Sequence, residues 1–119
     1  HPDMVAGPGR FDTLAMGLLG GRIFAKGGAE GYQGMGLLPG ALGADSPALG
    51  ICFKIADGDQ SDRARNVVSI EILRQLGLLS QAQIDEHLAL LAARPNTNWR
   101  KFVVGEIRPS FELKLERSW

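Results

Sequence analysis

The chain has 119 residues, of which 45% are hydrophobic and 22% are charged, ordinary proportions for one small globular domain. Thirteen basic residues balance thirteen acidic ones, so the net charge favours neither a nucleic acid nor an anionic membrane as a partner. No apolar run approaches the ~20 residues that span a bilayer. Cys52 is the only cysteine, which excludes a disulfide framework and favours a reducing compartment, the cytoplasm.

The sequence also suggests that the molecule is incomplete. It begins with His1, and most of its 16 glycines precede Gly58. A glycine-rich half that builds strands and tight turns often packs against other structure. We therefore expect 1–119 to be a single domain that is the C-terminal fragment of a longer protein. An apolar face left uncovered would drive association, so we expect a homo-oligomer or a retained partner fragment.

The first half of the chain predicts one helix and three strands. Apolar residues at helical spacing indicate a helix over 10–19, ended by Gly20 and Gly21. Short connections between the strands make them antiparallel. In the third strand Ile51 and Phe53 share one face, and Cys52 is interpreted as a small buried residue on the other. The predicted strands are 22–26, 30–38 and 48–56.

The second half predicts two helices and a last strand. A helix over 61–76, capped by Asp59 or Ser61, ends at Gly77. Ser80 and Gln83 form a candidate capping box for the next helix. With helices on one face of an antiparallel sheet, the fold class is α+β. The second of these helices covers 80–93, and the last strand covers 101–108.

The segment FAKGGAEG, 24–31, carries the strongest chemical signal. Lys26 ends a strand and is followed by Gly27 and Gly28, where a substrate can approach the strand edge and its N–H groups. A lysine there can hold a carboxylate or act as a base for a hydroxyl nucleophile. Glu30 could offset the lysine charge or hold a substrate amino group. The alternative is a solvated lysine before a hairpin turn.

Two further segments contain charged candidates. Arg10 follows a Gly-Pro-Gly turn and could reach a ligand or pair with Asp3 or Asp12. In FKIADGDQSDRAR, 53–65, the aspartates resemble part of a calcium loop, but the glutamate and other ligands of that loop are missing. The arginines Arg63 and Arg65 could bind a carboxylate or pair with these aspartates.

The composition and motifs of the chain argue against several well-known kinds of catalytic and metal-binding site. The only histidines are His1 and His87, so a Ser-His-Asp triad or a histidine-rich metal site would depend on His87 alone. The acidic neighbours of His87 favour a solvated helix position instead. The chain contains no serine-x-x-lysine, no P-loop and no G-x-S-x-G motif. We therefore predict no metal site in this chain.

Three segments, in this order and spacing, resemble the C-terminal portion of the L-asparaginase II family: HPDMVAGPGRFDT, GRIFAKGGAEG and GICFKIADGDQSDRAR. This is the rhizobial type, unrelated to the classical bacterial and plant-type asparaginases. The later NWR and VGEIRP segments also match how these proteins end. The resemblance covers residues 1 to about 108.

The resemblance implies a fold similar to serine β-lactamases and penicillin-binding proteins, with a second, more helical part. It implies hydrolysis of L-asparagine to L-aspartate and ammonia by serine and lysine. The serine nucleophile and its serine-x-x-lysine partner would lie upstream, as would the cysteines and lysine of a zinc site. This chain alone is therefore expected to be inactive and to hold no cofactor, and its partner would be the upstream half of the same protein.

Site residues follow from the same resemblance. Lys26 matches the lysine of the family's K-x-G-A-E-G segment and of the K-T-G strand in β-lactamases, which implies a catalytic role. Gly27 stands where that motif has threonine, so a hydroxyl hydrogen bond cannot be assumed. The resemblance makes Arg10, Gly27, Gly28 and Glu30 pocket residues that bind substrate, and Asp57 and Arg63 structural supports. Two other functions remain open: a β-lactamase-like or peptidase-like hydrolase of another amide, and a non-catalytic binding domain on the same scaffold.

Overall fold

A computed structural model of the chain describes residues 6–97, 100 and 102–116. The elements occur in the order helix, three strands, three helices and two strands, with a short 3-10 helix at Gln60–Asp62 after the third strand. They are α1 Phe11–Leu18, β1 Ile23–Gly27, β2 Tyr32–Leu37, β3 Leu49–Lys54, α2 Arg65–Gln75, α3 Gln81–His87, α4 Ala89–Ala92, β4 Arg94–Thr97 and β5 Val103–Ile107.

The first three strands form one antiparallel sheet with β2 in the centre. One face of this sheet, here called the inner face, carries buried Ile23, Ala25, Met35 and Leu37, which join a single core with apolar residues of α1, α2 and α3. The predicted helix, the three predicted strands and the α+β class are confirmed. A β-lactamase-like fold remains a prediction, because it requires a second part as well as this sheet.

The opposite face, called the outer face, is open. Cross-strand partners place Lys26, Gly34 and Cys52 in one row of this face. A Cβ built at Gly36 or Gly50 would meet no atom within 4 Å. Cys52 is exposed, so its prediction as a buried residue is wrong. Strand alternation fixed its direction correctly, but no element among the described residues covers the face toward which it points.

The chain between β3 and α2 differs from the sequence prediction. The helix expected from residue 61 begins at Arg65, because Asp59 and Asp62 adopt left-handed φ angles of 48° and 56° that interrupt a helical path. Neither Asp59 nor Ser61 is at the N-cap position of this helix, which Ala64 occupies. The Asp59 carboxylate still accepts hydrogen bonds from the backbone N–H groups of Ala64 at 2.7 Å and Arg65 at 2.8 Å. Gly77, with φ of 80°, follows the end of α2 as expected.

The last third of the chain was predicted less well. Ser80 and Gln83 form the expected capping box, but the helix breaks at Leu88, which has φ of −129°. Strand β4 was not expected; it follows the predicted helix directly and contains Pro95. It pairs with β5 as a separate two-stranded sheet, where an edge position tolerates proline. The longest described helix, α2, has 11 residues, and none of the described helices could cross a membrane.

The segment after β5 is held against α2 by one side chain. The Gln75 amide donates to the carbonyl of Phe111 at 2.8 Å and accepts from the N–H of Leu113 at 2.6 Å. Phe111 and Leu113 are themselves packed on the core. The Gln75 side chain therefore makes with this segment the donor and acceptor bonds that a neighbouring strand would make.

Gly31, in the turn between β1 and β2, is expected to tolerate a side chain poorly. Its φ is +75°, and a Cβ there would lie 3.0 Å from the Cβ atoms of Asp59 and Ile55. We expect Gly31→Ala to lower the free energy of unfolding by about 2 kcal/mol or more, since left-handed strain and overpacking add. Urea unfolding of the chain measures this.

Gly50→Ala is the matched control, because a Cβ at that position has no neighbour within 4 Å and the φ angle is not left-handed. Its effect should be below about 1 kcal/mol. Equal losses in the two variants would contradict the crowding inferred at Gly31.

Candidate functional site

A cleft of about 410 Å³ lies where β1 ends. Residues from three separate parts of the chain meet there, because α1 and α2 pack on the inner face and bring their first turns to this end of the strand. The lining residues are Ala6, Arg10 and Asp12 from the first part, 26–29 from the end of β1, and Asp62 and Arg65 from the third.

A buried carboxylate fixes the end of β1. Asp12, in the first turn of α1, is 6% exposed. Its Oδ2 accepts from the backbone N–H of Gly27 at 2.8 Å, and its Oδ1 accepts from the side-chain amide of Gln33 at 2.9 Å. Gln33 is fully buried on β2. The network therefore ties the first helix to both strands of the hairpin.

A buried arginine also holds the same hairpin through hydrogen bonds to its backbone. Arg65 has a side chain that is 7% exposed and pairs with Asp62 at 2.9 Å. Its Nη1 donates to the carbonyl oxygens of Gly28 at 2.8 Å and Tyr32 at 3.2 Å. Asp62 also lies 3.6 Å from the Arg10 guanidinium. One carboxylate thus bridges an exposed and a buried arginine.

The Arg65 guanidinium leaves no room for a side chain at position 27. A Cβ at Gly27 would lie 2.8 to 2.9 Å from three atoms of the Arg65 guanidinium. That guanidinium is buried and tied to three oxygen acceptors, so it cannot move aside without losing them. The structure thus gives a physical reason for glycine at the position where the K-T-G motif has threonine.

The backbone N–H groups of the two glycines after Lys26 are already used inside the chain. Gly27 donates to Asp12, and Gly28 donates to the carbonyl of Tyr32 at 2.9 Å. The glycines therefore contribute to the cleft by allowing close approach, whereas a ligand would need other donors.

Lys26 points to the outer face. It is exposed, and its neighbours Ala25 and Gly27 face inward. Its ammonium has no hydrogen-bond or ion-pair partner within the described part of the chain. The lysine is therefore free to meet a group that approaches the outer face.

Four of the five residues predicted for the site line the cleft: Arg10, Lys26, Gly27 and Gly28. Glu30 is not among its lining residues. It lies beside Lys54, with its carboxylate 3.7 Å from that ammonium, so it does not offset the charge of Lys26. Asp57 and Arg63 form an exposed ion pair at 3.3 Å and are not among the residues that line the cleft.

Sequence reasoning did not place Asp12, Asp62 and Arg65 in the cleft. Asp12 was considered as a partner of Arg10, and Arg65 as a residue that binds a carboxylate or pairs with nearby aspartates such as Asp62. Only the packing of two helices on the sheet brings the three to the strand end. The usable signal was weak: an aspartate two residues after Arg10 in the helix start, and an arginine at the start of an otherwise apolar stripe.

The cleft has an excess of positive charge. Three cations, Arg10, Lys26 and Arg65, and two carboxylates, Asp12 and Asp62, line it. The two arginines lie against Asp62, so the excess is the charge of Lys26. Such a site favours an anionic ligand group. No cluster of three or more His, Cys, Asp or Glu side chains suited to a metal ion occurs among residues 6–97, 100 and 102–116.

Comparison with known proteins adds a family. No curated protein matches the sequence. The sequence model of the L-asparaginase II family matches residues 1–109, which include every residue of the cleft and of the first sheet. The chain belongs to the L-asparaginase II family.

Proposed function

We propose that this chain is the C-terminal part of an L-asparaginase that hydrolyses L-asparagine to L-aspartate and ammonia. The observation that carries the proposal is the L-asparaginase II match over residues 1–109. The partly cationic cleft next to Lys26 supports it, because the substrate is an amino acid with an anionic carboxylate.

The proposed reaction uses a serine on an upstream part of the protein. Its oxygen attacks the side-chain amide carbon, ammonia leaves with the proton taken from the serine, and water then cleaves the acyl-enzyme to aspartate. Lys26 accepts the serine proton or holds its hydroxyl electrostatically. Donors for the oxyanion come from other residues, since the N–H groups of Gly27 and Gly28 are already bonded.

The outer face is the proposed contact with that upstream part. Lys26 lies on this face, Phe24 beside it is 52% exposed, and the open positions at Gly36 and Gly50 let another element approach the backbone closely. A serine presented there comes within reach of the lysine. In a chain without that part, the same face would favour a homo-oligomer.

Zinc does not fit the residues described. A structural or catalytic zinc ion needs three or four N, S or O ligands, and the described residues contain no such cluster. Any zinc in the intact protein would be bound by upstream ligands, so no step is assigned to it. The cytoplasm remains the proposed location, because the single cysteine is a free thiol.

Ammonia release from L-asparagine tests the function, measured on the complete protein and on this chain alone. We expect activity in the complete protein and none in this chain. A folded but inactive complete protein would favour hydrolysis of another amide, which substrate profiling would reveal, or a binding domain that binds ligand without turnover. Activity in this chain alone would contradict the upstream nucleophile.

A further inference from the structure

Tyr32, the only tyrosine in the chain, has its ring laid across two glycines on the outer face. A Cβ at Gly28 would lie 2.9 Å from the ring carbon Cδ1, and a Cβ at Gly34 would lie 3.3 Å from the phenolic Oη. The ring therefore runs from the turn along the sheet and ends with its hydroxyl above Gly34. A side chain at either glycine would displace it.

The hydroxyl lies above the strand position that is paired with Lys26. Gly34 is the cross-strand partner of Lys26 on one side and of Cys52 on the other, and Cβ atoms of such partners are about 4.5–5.5 Å apart. The flexible lysine side chain can therefore reach the same ligand atoms as the phenol. Neither the Lys26 ammonium nor the Tyr32 hydroxyl has a polar partner within the described residues.

The backbone beneath the ring is held firmly. The carbonyl of Tyr32 accepts hydrogen bonds from Gly28 N–H at 2.9 Å and from the buried Arg65 guanidinium at 3.2 Å. The hydroxyl is thus presented by a fixed backbone and a ring seated on glycines, the preorganisation expected of a binding residue.

We propose that Tyr32 is a substrate-binding residue whose hydroxyl donates a hydrogen bond to the α-carboxylate of L-asparagine beside Lys26. This inference rests on the function proposed above. The carboxylate is the one anionic group of the substrate, and the phenol is a neutral donor next to the Lys26 cation, whose charge is the excess among the residues that line the adjoining cleft.

A purely structural role is the alternative. An aromatic ring over strand glycines shields the backbone and packs on it. That role needs the ring and not the oxygen, so Tyr32→Phe distinguishes the two: it keeps the ring on Gly28 and Gly34 and removes only the hydroxyl.

The test compares L-asparagine with its α-amide, in which a neutral carboxamide replaces the carboxylate, in the complete wild-type protein and its Tyr32→Phe variant. We expect kcat/KM for asparagine to fall about 10-fold or more, the size of one hydrogen bond to a charged group. For the α-amide, the loss in kcat/KM, or in the inhibition constant if turnover is too slow, should be several-fold smaller, about 2- to 5-fold, because the carboxamide oxygen is an uncharged acceptor.

Equal losses on both substrates would overturn the carboxylate assignment, and wild-type values on both would show that only the ring matters. In either case the wild-type protein still hydrolyses asparagine, so the proposed asparaginase function stands. A folded wild-type protein with no activity on asparagine would overturn both.

Discussion

Replacing Lys26 by alanine in the complete protein is expected to reduce turnover of L-asparagine about 100-fold or more, the usual contribution of a positioned proton-transfer group. The lysine is exposed on the outer face and has no partner in the described part of the chain. Its removal should therefore leave the fold intact and act on chemistry alone. Steady-state ammonia release measures kcat, and the melting temperature checks the fold.

Lys114→Ala is the matched control for that experiment. Lys114 is also an exposed lysine, but it follows the residues matched by the family and does not line the cleft. Its loss should leave turnover unchanged. Wild-type-like turnover in Lys26→Ala would remove the lysine from the mechanism, even if the protein proves to be an asparaginase.

Replacing Arg65 by alanine is expected to lower the free energy of unfolding by about 3 kcal/mol, because removing this buried cation leaves its oxygen acceptors without a donor. The guanidinium is the donor to the carbonyls of Gly28 and Tyr32 and the buried partner of Asp62. Without it, the turn after Lys26 loses the side chain that joins it to α2. Urea unfolding of the chain, with an unchanged m-value, measures the loss.

The neighbouring Arg63 supplies the comparison. It pairs with Asp57 at 3.3 Å, and both side chains are largely exposed, 44% and 64%. Arg63→Ala should therefore change the free energy of unfolding by less than about 1 kcal/mol. A small loss in both variants would mean that Arg65 is not the support that its burial and contacts indicate.

The sequence was sufficient for the first sheet because its signals are local. Short connections determined the antiparallel order, and the alternation in 48–56 determined which side chains of β3 face the core. Whether the outer face is buried or exposed could not be predicted from the same local signals. Cys52 was assigned to the correct side of the strand, but its exposure depends on which other element covers that side.

The site was predicted only where its residues are adjacent in sequence. Lys26, Gly27 and Gly28 form one short segment, whereas Asp12 and Arg65 reach it through helix packing. Glu30 was placed with Lys26 because it is near in sequence, but its left-handed φ of 56° lies in a turn that directs it to Lys54. Strand β4 was not predicted because its four residues carry little strand signal of their own, and only pairing with β5 reveals it.

The Gln75 contacts have a consequence for any shortened form of the protein. The family match ends at residue 109, and a chain cut there would keep every residue of the cleft. It would also lose Phe111 and Leu113 from the core and leave both ends of the Gln75 amide without their backbone partners. A boundary chosen from the family match alone would therefore trim a piece of this domain's hydrophobic core.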